Sequence, residues 1–461
     1  MAVRFVIIGG GPAGNQAATH AARLGAEVTL VERDIVGGAA HLWDCIPSKA
    51  MIATGGAMTF FSKAAEMGLA AVDPQLDFEA LRSRIESIED RLEHSVTAQL
   101  ESQGVRLVRG TARFKGPHEV VVDTADGVSE LEADAVLVST GSRPRIPEWA
   151  DIDGERVLTT RQAYPPAELP EHLVVIGSGV TGVEFVHMFS SIGSQVTLIV
   201  SRNQVLPQKD PEVAAALEDN FVTRGVRLLK GARAVGIDRT ATTGADEGTG
   251  GVTVRCDDGR QAQGSHALLA IGSIPNSEGL GLEAAGVDID PRGSVPINQH
   301  RVTHISHISS AGDLSGKLPL SSVASMQGRK IAEHVMGGHT RAHRHLDYDK
   351  AASAIFTEPE IADVGLAEAD AFAEGRKLRV TKVPFSASAK ALINNDPRGF
   401  VKILSDPLTG VVLGGSIVGR HAAELISVIA LAVTAGLRVN DIVESLLVHP
   451  ALSEALAEAA E

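Results

Sequence analysis

VRFVIIGGGPAGNQAATHAARLGAEVTLVE, Val3–Glu32, decides the fold of this 461-residue chain. Val3–Ile8 is a short, nearly all-apolar run, as expected of a parallel strand covered on both faces. GGGPAG follows, with Gly9, Gly11 and Gly14 in G-x-G-x-x-G spacing and Pro12 and Ala13 between them. An Ala-rich stretch up to Gly25 reads as a helix, and Val28–Val31 as a second strand ending in Glu32. Glycines at these offsets let the backbone approach a pyrophosphate at a helix N-terminus, where free N–H groups and the dipole attract the anion. Glu32 stands 32 − 9 = 23 residues after the first glycine, the offset of a carboxylate that meets a ribose hydroxyl, with Arg33 beside it. The pattern predicts a dinucleotide-binding unit.

The pattern then repeats. Leu173–Ile176 is apolar, GSGVTG supplies Gly177, Gly179 and Gly182 with Val180 and Thr181, and Val196–Val200 is the next strand. The period is 177 − 9 = 168 residues, a duplicated fold rather than a short-period solenoid. Glycine-rich turns alone are weak evidence; two copies in the same strand–turn–helix context point to two bound dinucleotides. The copies differ where they read the ribose. Position 177 + 23 = 200 is Val200, followed by Ser201 and Arg202, so no carboxylate repels a 2′-phosphate and Arg202 is placed to pair with one. That favours NADPH over NADH in the second site; the plainer reading of Arg202 is a surface arginine in an enzyme that takes both.

Between the copies, Phe78, Leu81, Ile85, Ile88, Leu92, Val96 and Leu100 recur every three or four residues, one face of a long helix whose charged remainder is solvated. Val105–Val138 alternates as short strands with Gly and Asp-Gly turns, predicting a small antiparallel sheet, and ends in STGSRPRIP, Ser139–Pro147. The Gly/Thr-rich residues 240–251 predict a hairpin tip, and AIGSIPN, Ala270–Asn276, echoes STGSRP. A helix runs from AGD, Ala311–Asp313, to about Val335. His339–Tyr348 is polar and linker-like, and the rest is a third domain without a fingerprint.

Composition removes whole classes of function. Lys and Arg number 42 against 57 Asp and Glu, a net charge of −15, which argues against a nucleic-acid backbone or anionic membrane as the main partner. The two cysteines, Cys45 and Cys256, cannot form a disulfide scaffold, and no zinc cluster or other trusted metal spacing appears among the 16 histidines. The late apolar stretch Leu425–Leu437 is too short for a bilayer, and the first apolar run flows directly into a glycine turn rather than a leader cleavage site. The expectation is a cytoplasmic multidomain protein with no membrane insertion.

GGAAHLWDCIPSK (Gly37–Lys49), the two fingerprints, TGSRPRIP, SSAGDLSG and VHPALSE together resemble, in order and along essentially the whole chain, the flavoprotein disulfide reductases. These include lipoamide dehydrogenase, glutathione reductase and mercuric reductase. The resemblance implies an α/β protein with two Rossmann-like dinucleotide-binding domains and a C-terminal α+β dimerisation domain. Residues 1–148 and 272–340 would bind FAD, 149–271 NAD(P)H, and 345–461 would make a homodimer. It assigns Gly38, Ala39, Lys49, Ala112, Thr140, Gly141, Gly312, Asp313 and Leu320 to the flavin nucleotide, Asp313 to its ribityl chain, and Gly272 to the cofactor-binding set. Lys49 and Glu184 match the family's ion pair beside the flavin, where a lysine stabilises negative charge on the reduced ring. Glu184 read by itself is also a first-turn helix acid favoured by the dipole. His449 and Glu454 match the H-P-x-x-S-E segment, whose histidine protonates a leaving thiolate at the partner subunit's flavin.

The departure from the family is decisive. Its redox centre reads G-G-x-C-x-x-x-x-C-x-P-S-K; aligned on Gly37, Gly38 and Pro47–Lys49, the first cysteine position holds Ala40 and the second Cys45. With Cys256 in the second nucleotide domain's strand region, no dithiol relay can form, and disulfide substrates are excluded. The chain is most similar to the branch of NAD(P)H quinone reductases without a redox disulfide. That implies electrons passing from NAD(P)H through FAD to a diffusible quinone. The alternative is a soluble pyridine nucleotide transhydrogenase, a branch that keeps the first cysteine and loses the second, the reverse of this chain. Other readings are peroxide reduction by a sulfenic acid at Cys45, and a flavin-binding scaffold or sensor without turnover. Cys45 reads equally as a reactive flavin-proximal thiolate or an inert thiol, and the His449–Glu454 pair as a proton donor to a reduced product or a retained structural dyad. His41, Trp43 and Asp44 replace residues between the cysteine positions, and Trp43 reads as packing or as a wall of the acceptor site.

Overall fold

The computed structural model describes residues 2–240, 250–337 and 345–461. The chain divides into two compact units, each assembled from three stretches. Met1–Ser48, Glu79–Arg145 and Ser273–Tyr348 form the first, and Lys49–Phe78, Ile146–Gly272 and Asp349–Glu461 the second.

The first unit is built on a parallel sheet in the order Ile308–Ser310, Ala135–Val138, Arg4–Ile8, Glu27–Glu32, Arg106–Arg109. The central strand is apolar at every other position on both faces because both faces are covered. Phe5 and Ile7 pack with Ala13, Ala17, Ile331 and Ala332 from the helices Pro12–Arg23 and Ser321–Val335. Val6 and Ile8 pack with Phe114, Val120 and Val122 from a three-stranded antiparallel meander, Thr111–Gly116, Glu119–Thr124 and Gly127–Glu132. The expected antiparallel sheet over Val105–Val138 is therefore corrected: only these three strands form it, while Arg106–Arg109 and Ala135–Val138 join the parallel sheet. A meander inserted between two parallel strands reads as one alternating run because short strands carry no sign of their direction. The long helix is Phe78–Ser102, burying Leu81, Ile85 and Leu100.

The second unit repeats the plan. Its parallel sheet runs Arg227–Lys230, Gln195–Val200, His172–Ile176, His266–Leu269, Val157–Thr159, beside an antiparallel trio Ala234–Thr240, Gly251–Cys256 and Gln261–Gly264. The expected hairpin tip falls largely on 241–249 and part of the expected linker on 338–344, which lie outside the described residues. The C-terminal portion is an antiparallel sheet, Ser353–Ile355, Ile361–Gly365, Val412–Val418, Phe400–Ser405, Arg379–Pro384. The helix Ala422–Ala435 lays Ile426, Ile429 and Val433 into its core, and Glu454–Ala460 adds Ala455, Leu456 and Ala459. No described helix is long and apolar enough to cross a membrane.

The duplication is also steric. A Cβ on Gly14 would stand 1.9 Å from the Gly9 carbonyl oxygen, and one on Gly182 would stand 1.8 Å from that of Gly177. Each fingerprint helix thus approaches its strand closer than any side chain permits, which aims its N-terminus along the strand end.

A buried lysine ties the C-terminal sheet to the helix Pro211–Thr223 within the second unit. Lys402, 1% exposed at its side chain, donates to Asp210 at 2.9 Å and Glu368 at 2.8 Å and pairs with Glu212. Asp210 also caps the helix by accepting from the Glu212 N–H at 2.8 Å. Burial opposes the ammonium charge, but the three carboxylates raise its pKa above the ordinary lysine value. Lys402→Met is expected to cost on the order of 3 kcal/mol, because it strands the buried Asp210 carboxylate. A urea titration of the full chain checks this, and an unchanged midpoint would show that the cluster contributes no stability.

Candidate active site

In the first unit the strand–turn–helix opening leaves the N-terminus of Pro12–Arg23 free of any acidic residue in its first turn. Its N–H groups therefore remain available to an anion. Glu32, 9% exposed, accepts from the Gly10 N–H through Oε2 and from the Asp34 N–H through Oε1, both at 2.7 Å. The carboxylate holds the loop in shape and keeps a lone pair on each oxygen for a diol. Arg33 lies outside this arrangement, paired with Asp34 at 3.3 Å. Asn15, the residue after Gly14, buries its Oδ1 with no hydrogen-bond partner among the described residues. A buried acceptor of this kind fits a donor on a bound group.

The far wall of this cradle is stitched by polar bonds. The strands Ser142–Pro144 and Ser273–Pro275 pair antiparallel, so the STGSRP segment and its later echo meet directly. Thr140 Oγ1 donates to the Asn276 carbonyl at 2.7 Å, Asn276 Nδ2 returns a bond to the Thr140 carbonyl at 3.0 Å, and Asn276 N–H reaches the Gly141 carbonyl at 2.9 Å. Ser142 Oγ donates to Asp313 Oδ2 at 2.6 Å, and Gly312 N–H to the buried Gln327 Oε1 at 2.7 Å. Leu320 is the extended residue that starts the helix Ser321–Val335. Ala112 is 4% exposed within the apolar core behind the sheet, and Gly38 and Ala39 are half-buried ahead of the redox segment.

In the second unit Gly179, Val180 and Thr181 are exposed at the start of the helix Val180–Ser191, which has no acid in its first turn. Strand register places the discriminating position. Ile8 pairs with Val31 and is followed across the sheet by Glu32; Ile176 pairs with Ile199 and is followed by Val200. Val200 is buried, Ser201 and Arg202 are exposed, and Arg202 has no ion-pair partner among the described residues. Gly272 is exposed at the end of its segment.

Further along the same helix Glu184, 5% exposed, accepts from Lys49 Nζ at 2.8 Å and from the Phe356 N–H at 2.9 Å. Both oxygens are engaged, so Glu184 is an anchor rather than a helix-end charge. Lys49 also lies 4.8 Å from the centre of the Phe356 ring. Phe356 escaped sequence reasoning because its contribution is a backbone N–H 172 residues away from Glu184, with no side-chain signature. Asn15 and Ser142 escaped it because their role appears only once the loops fold together.

The C-terminal dyad is formed. His449 Nδ1 lies 2.7 Å from Glu454 Oε1, and Ala451 N–H donates to Glu454 Oε2 at 2.9 Å. The Ala451 N–H and the imidazole hold the Glu454 carboxyl below its usual range, while the histidine ring stays exposed. Neither Cys45 nor Cys256 is joined in a disulfide. Cys256 is buried in the strand Gly251–Cys256 and burial pushes its thiol pKa up, whereas Cys45 is half-exposed at the end of a wide turn, Ala40–Cys45. Among the described residues no group of three or more His, Cys, Asp or Glu could hold a metal ion.

Comparison with known proteins places this geometry. Residues 3–328 match the family model described as pyridine nucleotide-disulphide oxidoreductase, and residues 351–460 match the dimerisation domain of the same family. The chain is 41% identical to an NAD(P)H dehydrogenase (quinone) of Mycobacterium tuberculosis, over 100% of this chain and 94% of that protein. It is 36% identical to a dihydrolipoyl dehydrogenase of Haloferax volcanii, over 99% and 95%. The crystal structure of LpdA from Mycobacterium tuberculosis superposes with a TM-score of 0.93 at 40% identity, covering 99% of both chains. With two nucleotide cradles, the Lys49–Glu184 pair, the His449–Glu454 dyad and these full-length matches, the chain belongs to the pyridine nucleotide-disulphide oxidoreductase family.

Proposed function

We propose that the protein is an FAD-dependent NAD(P)H dehydrogenase that reduces a diffusible quinone without an internal disulfide. The observation that carries this reading is Ala40 at the first cysteine position, with no disulfide at Cys45 or Cys256. A dithiol relay needs a second sulfur beside Cys45, and residue 40 supplies a methyl group. The Mycobacterium tuberculosis relative named as a quinone dehydrogenase supports the same assignment.

FAD, when bound, supplies a carrier that takes two electrons from a nicotinamide and returns them to an acceptor. Its residents on this chain would be Gly9, Gly11, Pro12, Ala13 and Gly14 at the pyrophosphate, Glu32 at the ribose, and Asp313 at the ribityl chain. The open helix terminus and the orphaned Asn15 oxygen fit that group. Glu184 fixes Lys49, so the redox segment ends in a positioned ammonium. The His449–Glu454 pair serves as proton donor to the reduced product, with Nδ1 held by the carboxylate and Nε2 facing out. It would act across a homodimer made by residues 345–461. Two cysteines outside any disulfide and a nicotinamide donor suit a cytoplasmic enzyme.

NADPH is the favoured donor because exposed, uncommitted Arg202 stands beyond buried Val200, where a carboxylate would oppose a 2′-phosphate. Arg202→Ala is expected to raise the NADPH KM by about tenfold or more, the loss of a charge-assisted bond, while the NADH KM shifts less than twofold. An equal shift for both nucleotides would return Arg202 to the plain surface.

The assignment itself is tested by anaerobic stopped-flow absorbance of the NADPH-reduced holoenzyme mixed with menadione or with NAD⁺. Fast flavin reoxidation by menadione and slow reoxidation by NAD⁺ are expected, and the reverse order would make the protein a transhydrogenase.

A further inference from the structure

The segment between the two cysteine positions is a single wide turn, Ala40–Cys45, closed by the Ile46 N–H on the His41 carbonyl and opened by the His41 and Leu42 N–H groups on the Gly38 carbonyl. Turns closed by a five-residue bond are rare and recur at functional sites. Residues one turn apart share a face, so His41 and Cys45 stand one above the other on it. Ala40, next to them, is exposed, so the place of the missing sulfur is open to solvent. Leu42, the next residue after His41, is buried and anchors the turn.

His41 is half-buried, and its two nitrogens differ. Nδ1 is sealed from solvent and has no hydrogen-bond partner among the described residues, whereas Nε2 is not sealed in this way. A buried N–H without a partner is rarer than a bare buried acceptor, so the proton belongs on Nε2 and Nδ1 carries the lone pair. Desolvation lowers the imidazole pKa below its ordinary value, so the ring is neutral at pH 7. The result is an uncharged ring whose Nε2–H is not buried, one residue along the turn from exposed Ala40.

We propose that His41 is the acceptor-positioning residue of this enzyme, with its Nε2–H donating a hydrogen bond to a carbonyl oxygen of the bound quinone. The proposal rests on the quinone reductase reading given above. Both quinone oxygens gain negative charge as the ring takes up two electrons, so a donor fixed at one of them holds the reduced form more tightly than the oxidised form. The removal of a sulfur at position 40 and the presence of a donor at 41 thus belong together: the first opens the space, and the second equips it for a carbonyl.

Side-chain amides test which nitrogen acts, since the Gln nitrogen reaches the place of Nε2 and the Asn nitrogen that of Nδ1. His41→Leu, His41→Gln and His41→Asn holoenzymes would be compared by menadione KM and kcat, by menadione titration of the oxidised flavin absorbance, and by FAD content per chain. His41→Leu is expected to weaken menadione binding and raise its KM about tenfold, with FAD content at the wild-type level. His41→Gln should lie within about threefold of wild type, and His41→Asn should follow the leucine variant. The proposal is overturned if the leucine variant keeps wild-type KM and binding, if Asn rescues and Gln does not, or if the loss follows FAD content instead. Wild-type enzyme that neither binds nor reduces menadione would overturn the quinone reading itself, whereas an indifferent leucine variant of an active wild type overturns only the role of His41.

Discussion

Everything in the two nucleotide cradles depends on how closely a helix can approach the strand that precedes it. At Gly14 and at Gly182 the distance available to a side-chain carbon is under 2 Å from a backbone oxygen, so hydrogen is the only substituent that fits. That approach delivers two helix N-termini to two strand ends, each free of acidic residues in its first turn. The two copies then diverge at one register position, where Glu32 in the first stands against Val200 in the second.

Around this duplicated frame the family's electron path has been altered by a single side chain. The Lys49–Glu184 pair and the His449–Glu454 dyad are formed, with distances of 2.8 and 2.7 Å. Both side-chain pairs are therefore formed in a chain that lacks a disulfide. What changes is the exit: a sulfur that would receive electrons is replaced by an exposed alanine beside a neutral imidazole.

Much of this was legible in the residues. The fingerprints, the long amphipathic helix and the apolar C-terminal helix carry periodic signals, and the structure places them as read, with boundaries shifted by two or three residues at Ala422–Ala435. Strand direction was not legible. Arg106–Arg109 and Ala135–Val138 look like their antiparallel neighbours because hydrogen-bond direction leaves no trace in strands of four residues. Glu184 was legible as a residue but not as an anchor, since half of its support is the main chain of Phe356. Asn15 and the sealed nitrogen of His41 were invisible for a similar reason: an unmet hydrogen bond is a property of folded surroundings.

The burial of Cys256 has a practical consequence. Its thiol sits in the core of a β-sheet with ionisation suppressed, so a thiol reagent offered to the native protein reports on Cys45 alone. The wide turn Ala40–Cys45 therefore carries a built-in single-site label. Its reaction rate would report on the surroundings of that turn without any engineered cysteine.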